Sequence, residues 1–144
     1  MTATFDLELA RAVLAAQPFS ALLGAEISSF GDGSATLEIP IRPELGQQFG
    51  FLHGGVLAYA ADNALTFAAG TVLGPNVLTG GFSINYLRPG SGVRLRAQAR
   101  VVGSTRRQAA CSCEIYTEDA AGTAALCAVA QGTVRAVDSE RTGA

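Results

Sequence analysis

The stretch QQFGFLHGGVLAYAADNALTFAAG, residues 47–70, holds the only histidine of the chain, a glycine pair behind it, and one aspartate among alanines. From Leu45 to Leu87, Asp62 is the only formally charged residue. An unpaired carboxylate in such a setting costs several kcal/mol, or shifts its pKa until it is neutral. Something must compensate Asp62: solvent in a cleft, a partner subunit, or its neighbours Asn63 and Thr66. Thr66 lies four residues on, so its hydroxyl projects from the same helix face. An acid and a hydroxyl so placed can hold a water between them, and the chemistry on offer is general-base or nucleophilic catalysis. The alternative is a structural, hydrogen-bonded aspartate.

His53-Gly54-Gly55 stands where a loop becomes a helix. Glycines there let a ligand approach backbone N–H groups that have no intrahelical partner, which makes a ready oxyanion or anion site; otherwise they only permit a tight turn. At ~1.5 Å per residue, Gly54 and Asp62 are roughly 12 Å apart along one helix. A nucleophile and its oxyanion donors must both sit ~3 Å from one carbonyl. Two antiparallel helices from two chains solve this better than one, so the spacing predicts a homodimer with a composite site. Joining two sheets edge to edge also protects strand edges.

The elements that position these residues follow from periodicity. FDLELARAVLAAQ spaces Phe5, Leu9, Val13 and Ala16 as a short amphipathic helix ending before Pro18. AEISSF and SATLEIPI flank the turn Gly31-Asp32-Gly33 as a hairpin with one buried face, Pro40 suiting a strand end. From Gly54 to about Ala69 apolar residues point all ways round, which predicts a helix enclosed by the fold. Four strand patterns follow: VLTGGFSINYL, VRLRAQARVV, RQAACSCEIYT and ALCAVAQGTVRAV. In the second, Arg94, Arg96, Gln98 and Arg100 share one face, and Val93, Leu95, Ala97, Ala99 and Val101 the other. The order predicts an α+β fold in which an antiparallel sheet of about six strands wraps one long central helix. Residues 1–137 read as one domain and 138–144 as a frayed tail.

With 144 residues, 10 basic and 12 acidic, the net charge is −2 and the pI near 5.3, against a nonspecific nucleic-acid binder. Every basic residue is Arg, the side chain that suits bidentate contacts to phosphate or carboxylate. Cys111, Cys113 and Cys127 lack a metal-ligand spacing and read as small buried hydrophobes. No basic leader is visible, and no uninterrupted apolar run reaches the ~18 residues of a membrane span. The expectation is a cytoplasmic protein with no membrane partner and no metal.

Gln47, Gly50, His53-Gly54-Gly55 and Asp62, with FSINYLRPG at residues 82–90, together resemble the hotdog-fold acyl-CoA thioesterases of the PaaI type. The similarity runs from about residue 20 to 137. It implies hydrolysis of acyl-CoA thioesters, of aryl or phenylacetyl type, with no cofactor beyond the coenzyme A of the substrate, and a homotetramer built from two dimers. On this resemblance the amide of Gly54, with or without that of Gly55, polarises the thioester carbonyl. Asp62 of the other subunit is general base or nucleophile. Many PaaI-type members carry Asn where this chain has Gln47. The related hydroxybenzoyl-CoA thioesterases can carry Gln there and a Thr four residues after the acid, as Thr66 does, although their acid is Glu.

Gln47 is then expected to hold the thioester or the attacking water, Thr66 to orient that water, and His53 to shape the loop and contact substrate. Thr79 falls where some relatives have a hydroxyl near the site. Arg88, Arg106 and Arg107 are the candidates for the coenzyme A phosphates, against a reading as solvated surface arginines. Leu57, Tyr59, Phe67, Phe49, Phe51 and Leu52 are expected to line the acyl pocket. Two rival readings are a hotdog hydratase, which needs an acid and a histidine acting together, and a noncatalytic acyl-CoA sensor, which usually carries an appended effector domain.

Overall fold

The computed structural model describes residues 4–138; residues 139–144 of the expected tail lie outside it. Asp6 caps the first helix, α1 (Leu7–Ala15), by accepting from the Leu9 N–H at 3.0 Å. Its buried residues are Ala10 and Leu14. The buried stripe is thus turned by about one residue from the expected Phe5/Leu9/Val13/Ala16 set. Pro18 does not simply end a helix. It opens a second one, α2 (Pro18–Leu23), at the position where a missing N–H costs nothing, and Gly24 closes it in the left-handed region at φ 75°.

A hairpin follows, β1 (Glu26–Gly31) and β2 (Ser34–Pro40), then a 3-10 turn over Pro43–Leu45 that the sequence did not suggest. The central helix, α3 (Gly54–Leu73), runs one turn beyond the expected end. Gly70 lets it continue under Phe5, because a Cβ there would lie 2.8 Å from that ring. Strands β3 (Val77–Tyr86), β4 (Arg94–Ser104), β5 (Gln108–Glu118) and β6 (Ala124–Ala136) complete an antiparallel sheet of order β1-β2-β4-β5-β6-β3. β1 and β3 are its two free edges.

This six-stranded sheet wrapped on one long helix is the hotdog fold. The alternation on β4 works as expected between Leu95 and Arg100, but Val93 falls outside the strand and is exposed. Leu37, Ile39, Leu95, Ile115 and Val134 meet Ala60, Ala61, Ala64, Leu65 and Ala68 of α3 in one core. Small helix residues are what allow a curved sheet to come this close. All three cysteines are buried inside, and burial pushes the Cys111 thiol up to about 11 and the Cys113 thiol, helped by Glu114, to about 12. By length and mean hydropathy, 1.3, α3 could cross a bilayer, although no uninterrupted apolar run in the sequence suggests a span. The sheet covers most of that apolar surface.

The enclosure of α3 is incomplete. Tyr59, Asp62, Asn63 and Thr66 form a half-buried stripe along one side.

β3 is held to the sheet by β6 alone, and one residue sets how closely. A Cβ on Gly132 would lie 2.3 Å from the Gly81 carbonyl oxygen and 2.5 Å from Phe82 Cβ. Backbone cannot yield as a flexible side chain does. Gly132→Ala is therefore expected to cost on the order of 1–3 kcal/mol, read as a lowered midpoint in urea with an unchanged slope.

Candidate active site

α3 begins where it does because His53 caps it. The His53 backbone is extended, and its Nδ1 accepts the Gly55 N–H at 2.8 Å, while the Val56 N–H goes to the His53 carbonyl at 2.9 Å. An Nδ1 that accepts carries no proton, so the neutral ring holds its proton on Nε2. Gly55, read from sequence as an optional second donor, is thereby engaged within the loop. The Gly54 N–H has no partner among the described residues. Tyr86, which sequence reasoning did not single out for the site, donates to the Gly54 carbonyl at 3.0 Å and locks the helix start to the end of β3.

Beside that amide lies a cleft of about 380 Å³ lined by Gln47, Phe51, Gly54, Leu57, Tyr86 and Arg88. Gln47 Oε1 accepts from Phe49 N at 2.6 Å and from Phe51 N at 3.3 Å, and the Gln47 N–H reaches the Phe51 carbonyl at 2.8 Å. The amide oxygen is thus occupied in stapling the 47–51 loop, and only the Nε2 donors remain for a ligand. Phe49 projects into solvent, 74% exposed. Phe67 packs edge-on against Phe30 in the core, and Tyr59 is tied to α2, so neither lines this cleft as the sequence suggested.

Asp62 belongs to a second group. Thr79 donates to Asp62 Oδ1 at 2.5 Å; Thr66 donates to the Asp62 carbonyl at 2.8 Å and lies 2.9 Å from the Thr79 oxygen. Each hydroxyl has one proton, so Thr79 gives its own to the carboxylate and Thr66 can only share its proton between the two remaining oxygens. The side chain that touches the carboxylate directly is thus Thr79, with Thr66 behind it. Oδ2 of Asp62 has no partner among the described residues and is not sealed from the surface. It is a fixed carboxylate with one free oxygen.

Asn63, named from sequence as a possible compensating neighbour, turns away. Its Nδ2 donates to Tyr59 at 2.8 Å, Gln17 at 3.2 Å and Ser20 at 3.3 Å, while Tyr59 donates to buried Ser20 and Ser20 to Gln17, each at 2.6 Å. Burial raises the Tyr59 phenol above its ordinary range against the opposing hydrogen bonds, and the nearby Asp62 charge adds to the rise. This circuit pins α2 onto α3.

Arg106 and Arg107 form a third group at the β4–β5 turn. There they line a cleft with Arg135, a residue that sequence reasoning passed over because it reads as one more outward strand position. Among the described residues no three His, Cys, Asp or Glu are placed to hold a metal ion.

A free amide at a helix start, and an acid held by a threonine on a neighbouring strand, are the features against which known proteins can be compared. The family model described as the thioesterase superfamily matches residues 49–124, the segment carrying His53, Gly54, Asp62, Thr66 and Thr79. The chain belongs to the thioesterase superfamily. Among solved structures, a thioesterase family protein from Silicibacter pomeroyi is 32% identical, with a TM-score of 0.83 over 88% of this chain and 93% of that one. A mutant of the phenylacetic acid degradation protein PaaI from Thermus thermophilus is also 32% identical, with a TM-score of 0.73 over 84% of this chain and 100% of that one.

A curated relative, the 1,4-dihydroxy-2-naphthoyl-CoA hydrolase of Listeria monocytogenes serotype 1/2a (strain 10403S), is 33% identical over 63 residues, 44% of this chain. That match spans about half of the relative's own length, 51%. The superfamily assignment agrees with the hotdog topology. The Gly54 amide and the Asp62 carboxylate of this thioesterase-superfamily chain both lie within the matched segment.

Proposed function

We propose that this protein hydrolyses acyl-CoA thioesters to the free acid and coenzyme A, in a site shared by two subunits. The observation that carries the reading is Asp62 Oδ2, free and surface-open on a stripe of α3, in a chain whose unpartnered Gly54 amide lies roughly 12 Å away along the same helix. A second α3 running antiparallel brings each acid to the other chain's amide. The Gly54 N–H receives the thioester carbonyl and gains strength as the oxygen becomes an oxyanion. Gln47, with only its Nε2 donors free, adds a second donor.

Asp62 either removes a proton from the attacking water or attacks the carbonyl carbon itself to form an anhydride that water then opens. In both cases the C–S bond breaks and coenzyme A leaves as a thiolate that takes up a proton. His53 acts by capping and shaping the loop, and Thr66 and Thr79 hold the acid.

Substrates with an aryl or arylacetyl group suit the cleft, where Phe51 and Tyr86 offer ring faces and edges. The named substrate of the Listeria relative and the phenylacetic acid degradation role in the name of the Thermus relative point the same way. The assembly is a homodimer along β3, paired again into a homotetramer. Three unpaired thiols suit the reducing cytoplasm.

The test is thiol release from phenylacetyl-, hydroxybenzoyl-, short-chain and long-chain acyl-CoA. Turnover of an aryl substrate at least tenfold above the aliphatic ones is the expected result. Binding of acyl-CoA without thiol release overturns the hydrolase reading in favour of a sensor.

A further inference from the structure

A Gly-Gly pair is the least rigid place to mount an oxyanion donor. Lacking a Cβ, both residues turn freely about φ and ψ, yet such a donor works only if its N–H already points to where the charge develops. Something outside the pair must hold that direction. The His53 N–H donates to the Leu45 carbonyl at 2.9 Å, and the His53 carbonyl accepts the Val56 N–H at 2.9 Å. On the far side of Gly54, the peptide that joins it to Gly55 is gripped at both ends: its N–H by His53 Nδ1 at 2.8 Å and its carbonyl by the Tyr86 hydroxyl at 3.0 Å. The peptide groups before and after Gly54 are thus both fixed, and the Gly54 N–H belongs to the first of them.

Tyr86 is the part of this grip that comes from outside the loop. By alternation, Phe82, Ile84 and Tyr86 share the helix-facing side of β3. The strand end is fastened to β6, the Leu87 N–H donating to the Cys127 carbonyl at 2.7 Å. Among the described residues, the β3 side chains that hydrogen-bond to α3 are Thr79, on Asp62 and Thr66, and Tyr86, on Gly54. One strand therefore aims both halves of the composite site, the acid near its start and the amide at its end. The Tyr86 ring also closes down on Gly54, where a Cβ would lie 3.4 Å from the hydroxyl oxygen and 3.5 Å from Cζ. A hydroxyl has a single proton, and Tyr86 gives its own to the Gly54 carbonyl. It has none for the oxyanion, so its effect on the reaction passes through the Gly54 peptide.

We propose that Tyr86 is a positioning residue of the hydrolase: its hydroxyl, acting opposite His53 on one peptide, holds the Gly54 N–H in line for the thioester oxygen. The inference rests on the hydrolase reading above, and gives the hydroxyl a role separate from the ring surface that Tyr86 offers the acyl group. Two consequences follow that direct chemistry at either side chain would not produce. Loss of the hydroxyl slows the chemical step without weakening substrate binding, and His53 is replaceable by a side chain that accepts the Gly55 N–H.

Tyr86→Phe keeps the ring and deletes the hydroxyl. With the best substrate of the acyl-CoA panel it is expected to lower kcat roughly tenfold, part of the loss on the order of 10²–10³ that deleting an oxyanion donor brings. KM should stay unchanged, because the donor gains strength only as the oxyanion forms. The same substitution made in the Gly54→Pro protein should cost nothing further, since no N–H is left to aim. An equal drop in both backgrounds makes Tyr86 a donor to the substrate itself, and a raised KM with unchanged kcat makes it a binding residue. Either result, or kinetics that do not move, overturns the proposal.

The other side of the grip is tested by substitution at His53. His53→Ala should lower kcat by a similar factor and His53→Asn should restore most of it, because an Asn that caps a helix accepts the same N–H. An Asn variant as slow as the Ala variant overturns the grip and makes the imidazole itself a participant in the chemistry.

Amide hydrogen exchange reads the peptide with no substrate present. Tyr86→Phe should speed exchange of the Gly55 N–H about fivefold, as for loss of one neutral hydrogen bond; unchanged exchange overturns the grip. If that N–H is loosened but the wild-type protein releases no thiol from any ester of the panel, the hydrolase reading falls and the grip on Gly54 stands.

Discussion

Asp62→Asn should lower kcat for acyl-CoA hydrolysis on the order of 10²–10⁴-fold with the fold unchanged. The substitution keeps the shape and the Oδ1 acceptor, so the Thr79 hydroxyl, now 2.5 Å from Oδ1, still has an oxygen to bind. What changes is the free Oδ2, which becomes an NH2 that can neither take a proton nor attack a carbonyl. Because the carboxylate is half-buried on the open stripe rather than enclosed, the variant removes a charge without leaving a void. Thermal unfolding should therefore move little while single-turnover thiol release collapses. A variant that retains kcat makes Asp62 structural and removes the centre of the mechanism.

Heavy-oxygen water separates the two remaining routes. Label found in the Asp62 carboxylate marks the nucleophilic route, in which water opens the anhydride at the aspartyl carbonyl, because a general base never exchanges its own oxygens.

Gly54→Pro should cost on the order of 10²–10³ in kcat, the usual consequence of deleting one oxyanion donor. A backbone donor can rarely be removed cleanly, but this one can. Gly54 is the first residue of α3, a position that accepts proline because its N–H has no helical partner. His53 before it already has the extended backbone that a following proline demands, φ −62° and ψ 135°. The control is Gly54→Ala, which keeps the N–H and adds a Cβ 3.4 Å from the Tyr86 hydroxyl, a contact that the proline ring shares. Activity kept in Ala and lost in Pro assigns the effect to the amide. Equal loss in both assigns it to crowding at Tyr86 and would overturn the oxyanion role.

Most of the architecture is legible in the sequence. The two-residue alternation in SATLEIP and RLRAQAR and the apolar tract behind His53-Gly54-Gly55 are local patterns, and local patterns survive translation into strands and a helix. The first helix ends before Pro18 as expected, but the helix that Pro18 begins was missed; it depended on a place for α2 to dock, supplied by Tyr59 and Asn63 more than thirty residues away. The reading failed in taking α3 to be enclosed, since periodicity shows that residues are apolar and not whether a sheet reaches round to cover them.

The candidate site divides along the same line. Sequence alone determined which groups could do chemistry, because a lone acid in an apolar tract and glycines at a helix start are conspicuous wherever the chain goes. Tertiary structure decided what each is bonded to. It gave Asp62 a threonine from β3 in place of the one on its own helix, spent the Gly55 amide on His53, and set Arg135 beside Arg106 and Arg107. The physical reason is that hydrogen-bond partners of buried polar groups are chosen by which strands lie side by side. Here β3 pairs with β6, the last strand among the described residues, a neighbour that no local pattern of residues specifies.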